Sequence, residues 1–471
     1  GVTIRLMKAG NADTPITPQD FPFLHDKGIW ARYLDFLAEN GYNALVFGHN
    51  HPFEYFVAME KYPEAQADIA PVIIQQNHDL LLWLGAEAEK RNITLMFEFH
   101  VAHAPVGFSK AHGSPGGGIP DSPDALKDYC GHCLERFVGE FPGVGLYIHP
   151  GQSPSPQVAF EWIDGVVLAA VQRSGKTPAI VVRSEGMDVE RMKALAVKYP
   201  KLSTEHAYNA AMLAASEANP AIKEWAAIVG SHILAVQGAA NLDPFRWSPP
   251  TYVQKCLQHA IALGANGLDL SARTAWRWPY GCDKVEPAEF QWNRDWMWFE
   301  TWGRYAWNPN RDPNAERPYW TYRLTQTYGA LDAATALLDA FEQGADVLPA
   351  IQRLLWIGGD AQTVVAAGAY LDQILHAGGA PFLPTPGMVR IPAYLDAVKA
   401  GKSIEGISPI DYLAAKVAEA DKALASARDG VQKAVRNQPD AQRIATDAEA
   451  VAHVARFYLH KVAAAIAKAL F

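Results

Sequence analysis

The sequence predicts an α/β fold: a (β/α)8 TIM-like barrel over residues 1–290, followed by an α-helical carboxyl-terminal domain over residues 291–471. Three observations carry this. Short apolar runs alternate with helical patterns as far as about residue 290, the signature of βα units and a parallel sheet. Eight such strands with seven intervening helices suit one closed barrel. After Phe290 the strand pattern stops and helical periodicity takes over. A doubly wound open sheet is the alternative. It calls for a glycine-rich phosphate turn after its first strand, where this chain reads Lys-Ala-Gly-Asn-Ala-Asp.

In chain order, the strands are expected at Val2–Met7, Asn43–Phe47, Thr94–Phe99, Gly145–Ile148, Ala179–Arg183, Leu202–Glu205, Ile233–Gln237 and Gly267–Leu270. The helices between them are expected at Lys27–Asn40, Ile73–Arg91, Pro123–Phe141, Pro156–Arg173, Val189–Tyr199, Ile222–Ile228 and Pro250–Leu263. Beyond the barrel, helices are expected at Arg294–Trp307, Tyr319–Gln343, Val347–Ile357, Ala361–Leu375 and Pro409–Ala469. The last reads as a long alanine-rich hairpin broken near Asn437-Gln438-Pro439. The connections after strands two, three and eight are long, which in a compact domain marks binding loops.

Bulk composition narrows the function. With 471 residues the chain exceeds one compact core, so two domains are expected. A net charge of -9 without a long basic stretch argues against nucleic acid as a partner. No run reaches the roughly 18 apolar residues of a membrane span. Four cysteines do not make a disulfide scaffold. The chain opens directly on a strand-like segment. A removed leader would place it in the periplasm or outside the cell, and otherwise it would be cytoplasmic. Of 14 tryptophans, most fall between Trp276 and Trp320. Such a cluster reads as core or as platforms for sugar rings.

In a (β/α)8 enzyme the reacting groups sit at the carboxyl ends of the strands. There this chain carries Glu98 and His100 on strand three, His149 and Gln152 after strand four, and Arg183 and Glu185 after strand five. Strand six ends with Glu205 and His206, and strand seven with Gln237, whose loop adds Arg246 and Trp247. The eighth loop adds Arg273, Trp276, Arg277, Trp278 and Tyr280. Glycoside hydrolysis needs two carboxyl groups, one to protonate the leaving oxygen and one to activate water or attack directly. Glu98, Glu185 and Glu205 are the candidates. The remaining residues are candidate sugar contacts. The common arrangement, an acid after strand four and a nucleophile after strand seven, is absent, because those places hold His149 and Gln237.

Tyr42-Asn43-Ala44-Leu45-Val46-Phe47 and Gly303-Arg304-Tyr305-Ala306-Trp307-Asn308-Pro309 resemble the corresponding segments of family 67 glycoside hydrolases, the α-glucuronidases. Family 115 is a related alternative. The resemblance implies a barrel followed by a helical domain, and release of a terminal uronic acid, such as glucuronate, by an exo-acting inverting mechanism. It places Ser184-Glu185 at the family's Ser-Glu acid, with Glu205 among the candidate bases. The family's carboxylate-binding lysine corresponds to Val181, so Arg183, Arg246, Arg273 or Arg277 would have to meet a uronate.

Two other motifs are weighed against this reading. Cys130-Gly131-His132-Cys133 matches a redox dithiol but falls inside a helical run rather than at a strand-to-helix turn. The strand-end histidines lack tight metal-ligand spacing, so no metal and no cofactor is expected. The alternatives retained are a catalytically degenerate carbohydrate-binding protein and a metal-dependent hydrolase. The expected partner is an oligosaccharide or polysaccharide-derived substrate, with no nucleic acid and no membrane, and a homodimer through the helical domain is open.

Overall fold

The computed structural model describes residues 1–6, 13–113, 123–151, 155–208, 213–237, 245–271, 278–355, 370–377 and 387–471. Eight strands close into a barrel in sequence order. They are β1 (Val2–Arg5), β2 (Ala44–Gly48), β3 (Thr94–His100), β4 (Gly145–His149), β5 (Ile180–Arg183), β6 (Leu202–Ala207), β7 (His232–Gln237) and β8 (Gly267–Ser271). The predicted fold class therefore stands, and the strand ends differ from the expected ones by a residue or two.

Strand neighbours are parallel. The register opposes Glu98 to Tyr147 and His100 to His149 across β3 and β4, and Arg183 to Glu205 across β5 and β6. Side chains alternate between the two faces of a strand, so inward residues form layers. Val46, Met96, Tyr147 and Val181 make one such apolar layer, with Ile233 packed against it. Glu98, His149 and Arg183 are the next residues on the same strand faces, with Glu205 in register with Arg183, and His100 is one step further on β3. The apolar layer is a floor, and the ionisable residues stand on it.

The surrounding helices start where side chains satisfy their first amides. Asp26 accepts from the Ile29 N–H ahead of Lys27–Glu39, and Asp188 accepts from the Arg191 N–H ahead of Val189–Lys198. The Asn77 amide donates to the Ile16 and Tyr55 carbonyls, tying helix Pro71–Glu89 to the loops after β1 and β2. The helix expected at Pro156–Arg173 is interrupted. It runs α-helical over Pro156–Trp162, as a π-helix over Ile163–Leu168, and α-helical again over Ala169–Ser174. Nothing in its apolar periodicity announces that insertion.

By internal contacts the chain divides into two compact units. The first holds Gly1–His206, Ala221–Ala235 and Gly264–Arg294, and the second holds Ala207–Pro220, Val236–Leu263 and Asp295–Phe471. In the second unit the helix expected over Tyr319–Gln343 is two helices, Pro313–Tyr328 and Leu331–Gln343. Gly329, at φ +82°, ends the first in the left-handed conformation that glycine adopts without a Cβ penalty. The helix Ile391–Lys399 was not expected, and of the helix expected over Ala361–Leu375 the described part is Leu371–Leu375. The closing hairpin is as predicted, with helices Pro409–Lys433 and Gln438–Leu470 meeting at Asn437. Ala340, Ala427 and Ala445 form a small-residue core there. At Gly430 a Cβ would lie 2.7 Å from Leu337 Cγ, so these helices approach closely only because side chains are small or missing.

Candidate active site

The sequence places Arg183 at the last position of β5, and the register sets it beside β6. Its guanidinium organises the barrel mouth. Nη1 donates to Glu98 Oε1 at 3.1 Å. Nε lies 2.8 Å from Glu205 Oε2, and Nη2 lies 3.7 Å from Glu185 Oε2. The Nε–H does not point along the line to Glu205, so that contact is ionic rather than a directed hydrogen bond. One cation thus gathers all three carboxylates singled out in the sequence.

The three differ in surroundings. Glu205 is 2% exposed and Glu98 is also buried, whereas the Glu185 side chain is 67% exposed. Burial pushes the Glu205 carboxyl up to about 7. Arg183 opposes that shift, while Asp269, Glu98 and Glu185 reinforce it. Glu185 moves the other way, to about 2, held down first by a hydrogen bond from His149 and, against some burial, by the charge of Arg183. In the free protein Glu205 therefore titrates close to neutrality, whereas Glu185 is ionised there. That order is the reverse of the one implied by the Ser-Glu resemblance.

The histidines form the rim. His149 Nε2 is 3.5 Å from Glu185 Oε2. The rings of His100 and His149 stack with centroids 4.2 Å apart and planes 12° apart. Ser184 Oγ pairs with His206 Nδ1 at 2.7 Å. Burial lowers both His100 and His206 to about 4, so both rings are neutral at neutral pH. Below this rim the Tyr147 hydroxyl is buried without a hydrogen-bond partner among the described residues. Sequence reasoning did not single out Tyr147, and its alternation with His149 on β4 is the signal that could have found it.

The other expected site residues have the following surroundings. Trp278 is no exposed platform: it is 3% exposed and packs against Phe23, Trp30 and Tyr33 with centroids 4.8, 4.7 and 5.1 Å away. Tyr280 is partly exposed and stacks on Phe290. Arg246 and Trp247 belong to the second unit. The Arg246 guanidinium meets Asp447 Oδ2 at 2.8 Å and Asp440 Oδ1 at 3.3 Å, so its charge is already answered. Trp247 is buried and donates through Nε1 to the Ala345 carbonyl. Gln152, Arg273, Trp276 and Arg277, and the side chain of Gln237, lie outside the described residues.

Among the described residues no group of His, Cys, Asp and Glu is disposed to hold a metal ion. Cys130 and Cys133 are buried inside helix Pro123–Glu140, and burial pushes the Cys130 thiol up to about 12. A thiol so raised is a poor nucleophile. Among the described residues no helix is long and apolar enough to cross a membrane.

No family profile and no curated protein sequence matches the chain. Among solved structures it is similar to one described as a GH138 enzyme targeting pectin rhamnogalacturonan II. The TM-score is 0.92 at 27% identity, over 100% of this chain and 72% of that one. The chain carries the fold of a glycoside hydrolase. The enzyme class expected from the sequence rests on this likeness to a GH138 enzyme, which does not by itself show family 67 or family 115. Weaker similarities extend to a GH20 β-N-acetylhexosaminidase from Streptomyces coelicolor A3(2), with a TM-score of 0.39 at 15% identity over 62% of this chain and 63% of that one. They also include the endo-β-1,4-glucanase B of Bacillus halodurans, with a TM-score of 0.40 at 12% identity over 59% of this chain and 55% of that one.

Proposed function

We propose that the protein is an exo-acting glycoside hydrolase that removes a terminal uronic acid from a pectic oligosaccharide, with Glu185 and Glu205 as its working carboxylates. One observation carries the chemistry: two carboxyl groups on one guanidinium are pushed apart in proton affinity, Glu205 to about 7 and Glu185 to about 2. Such splitting is how one site holds an acid and a base at one pH. In this reading Glu205 delivers the proton to the leaving oxygen and the ionised Glu185 activates water. Glu98 shares Arg183 with them and holds the guanidinium in place.

The pectic substrate is suggested by the likeness to an enzyme targeting rhamnogalacturonan II. Because both carboxylates contact the same planar guanidinium, their nearest oxygens are at most about 9 Å apart, a limit that admits retaining pairs at roughly 5–5.5 Å and inverting pairs at roughly 6.5–9.5 Å, so inversion rests on the family 67 resemblance.

The test is release of free sugar from rhamnogalacturonan II and from uronic-acid oligosaccharides, followed by NMR of the first product anomer. An exo enzyme of this kind releases one monosaccharide, of inverted configuration. Binding of these glycans without release of any sugar would make the chain a carbohydrate-binding protein and overturn the enzymatic reading.

A further inference from the structure

His149 ends β4, and a backbone amide engages one nitrogen of its ring. The Gly151 N–H donates to His149 Nδ1 at 2.9 Å. A ring nitrogen that accepts a hydrogen bond carries no proton, so the neutral imidazole holds its hydrogen on Nε2. That nitrogen is the one facing Glu185. Gly151 sits at φ +75°, a conformation that side-chain-bearing residues rarely adopt, and this lets the chain turn its amide back onto the ring.

The same device occurs at the end of β2. There the His51 N–H donates to His49 Nδ1 at 3.0 Å, and His49 Nε2 lies 3.0 Å from the Thr14 carbonyl, which can only accept. Two strand ends therefore hold histidine in one tautomer by one backbone arrangement. At β4 the stacked His100 ring also fixes the plane of His149.

We infer that His149 is a positioning residue whose locked Nε2–H offers Glu185 only a donor, and so fixes Glu185 as the ionised member of the carboxylate pair. The inference rests on the carboxylate-pair reading above. The other charged and titratable groups around Glu185 do not supply that lock. Arg183, from β5, also favours the Glu185 carboxylate, but as a lesser cause than His149, from 3.7 Å and while shared with Glu98 and Glu205. His100, from β3, is neutral at working pH. Glu205, from β6, favours protonation of Glu185 when it is itself ionised. With Nδ1 engaged by the Gly151 N–H, the nitrogen that faces Glu185 is the one that carries the hydrogen. The low proton affinity of Glu185, with His149 as its largest cause, agrees with this geometry.

Two isosteric variants test the inference. In His149→Asn the amide oxygen takes the place of Nδ1 and keeps the Gly151 bond, but nothing replaces Nε2–H. In His149→Gln the terminal amide supplies an N–H near the Nε2 position. With carboxyl-13C-labelled glutamate, NMR titration should show Glu185 rising by about one pH unit or more in His149→Asn, at least tenfold in proton affinity. It should remain near the wild-type value in His149→Gln. The acidic limb of kcat/KM should move with it. Ring 15N spectra of the resting protein should show the Nε2–H tautomer. An Nδ1–H tautomer, or a Glu185 titration unmoved in His149→Asn or moved equally in both variants, would overturn the inference. These NMR readouts need no turnover, so absence of sugar release would sink the functional reading and leave His149 to be judged by titration.

Discussion

Glu205→Gln should make the protein more stable at alkaline pH while abolishing turnover. The Glu205 carboxyl is fully buried, and its proton affinity is raised from 4.5 to about 7 despite the adjacent Arg183. Two effects compete: desolvation favours the neutral acid, the guanidinium favours the carboxylate, and desolvation prevails. A group whose folded value is raised contributes stability that is fully present below its unfolded value. That stability is lost as the pH rises through the folded value. For Glu205 the window runs from about pH 4.5 to about pH 7. Above it the folded protein bears a penalty on the order of 3 kcal/mol that an uncharged isostere escapes. For a unit of this size that corresponds to roughly 6–12 °C in Tm. Denaturant unfolding of wild type and Glu205→Gln at pH 4.5 and pH 8 measures it, with sugar release assayed in parallel. The two proteins should match at the lower pH, and the variant should be the more stable at the higher. A Glu205→Gln protein that is less stable at pH 8 would mean that the Arg183 pair outweighs burial. The acid role assigned to Glu205 would then lose its physical basis.

Glu185→Gln should lower kcat about 100-fold or more with binding retained, and equally for good and poor leaving groups, because Glu185 activates water rather than protonating the leaving oxygen. In Glu205→Gln the loss should shrink on aryl glycosides with acidic leaving groups, and the opposite pattern would exchange the two roles. Arg183→Met leaves Glu98 and Glu205 buried without their cation. It should cost about 3–5 kcal/mol at neutral pH and less at acidic pH, where Glu205 is protonated, as read by unfolding curves. Arg273→Ala or Arg277→Ala should raise KM for a uronide at least about tenfold more than for the matching neutral glycoside, since a buried carboxylate needs a partner. Arg246→Ala should not discriminate between them, because Arg246 already serves Asp440 and Asp447.

The barrel was legible because each strand is a short apolar run bounded by loop residues, and its period differs plainly from that of the helices. The ends were less legible: His100 and His149 are polar, yet they continue β3 and β4 by register with their neighbours. Convergence of Glu98, Arg183, Glu185 and Glu205 followed from barrel topology alone. Their charge states did not, because they depend on burial and on which oxygen meets which nitrogen. Trp278 was ambiguous in principle. A tryptophan beside arginines reads equally as platform or core, and Phe23, Trp30 and Tyr33, which decide the matter, come from a short 3-10 turn and the helix after it, about 250 residues earlier in the chain. The partners of Arg246 were hidden for a similar reason, since its aspartates lie 194 and 201 residues further on. The lock on His149 was invisible because it is made by the amide of Gly151, and a glycine's φ is not written in a single sequence.

The electrostatics of the site follow from the strand register. A parallel ladder that opposes Arg183 to Glu205 and Glu98 to Tyr147 sets a cation and two carboxylates just above an apolar layer that contains Met96, Tyr147 and Val181. Residues at that depth lose water, and that loss raises Glu205. Glu185 is two residues beyond Arg183, past the last pairing of β5, so it reaches solvent and the rim histidines instead. A one-residue slip of β5 would turn Arg183 outward, since successive side chains face opposite sides of the sheet. Glu98 and Glu205 would then share the interior without a cation. The pattern of proton affinities is therefore a property of register and depth: Glu205 belongs to the final pair that β5 makes with β6, and Glu185 lies beyond it.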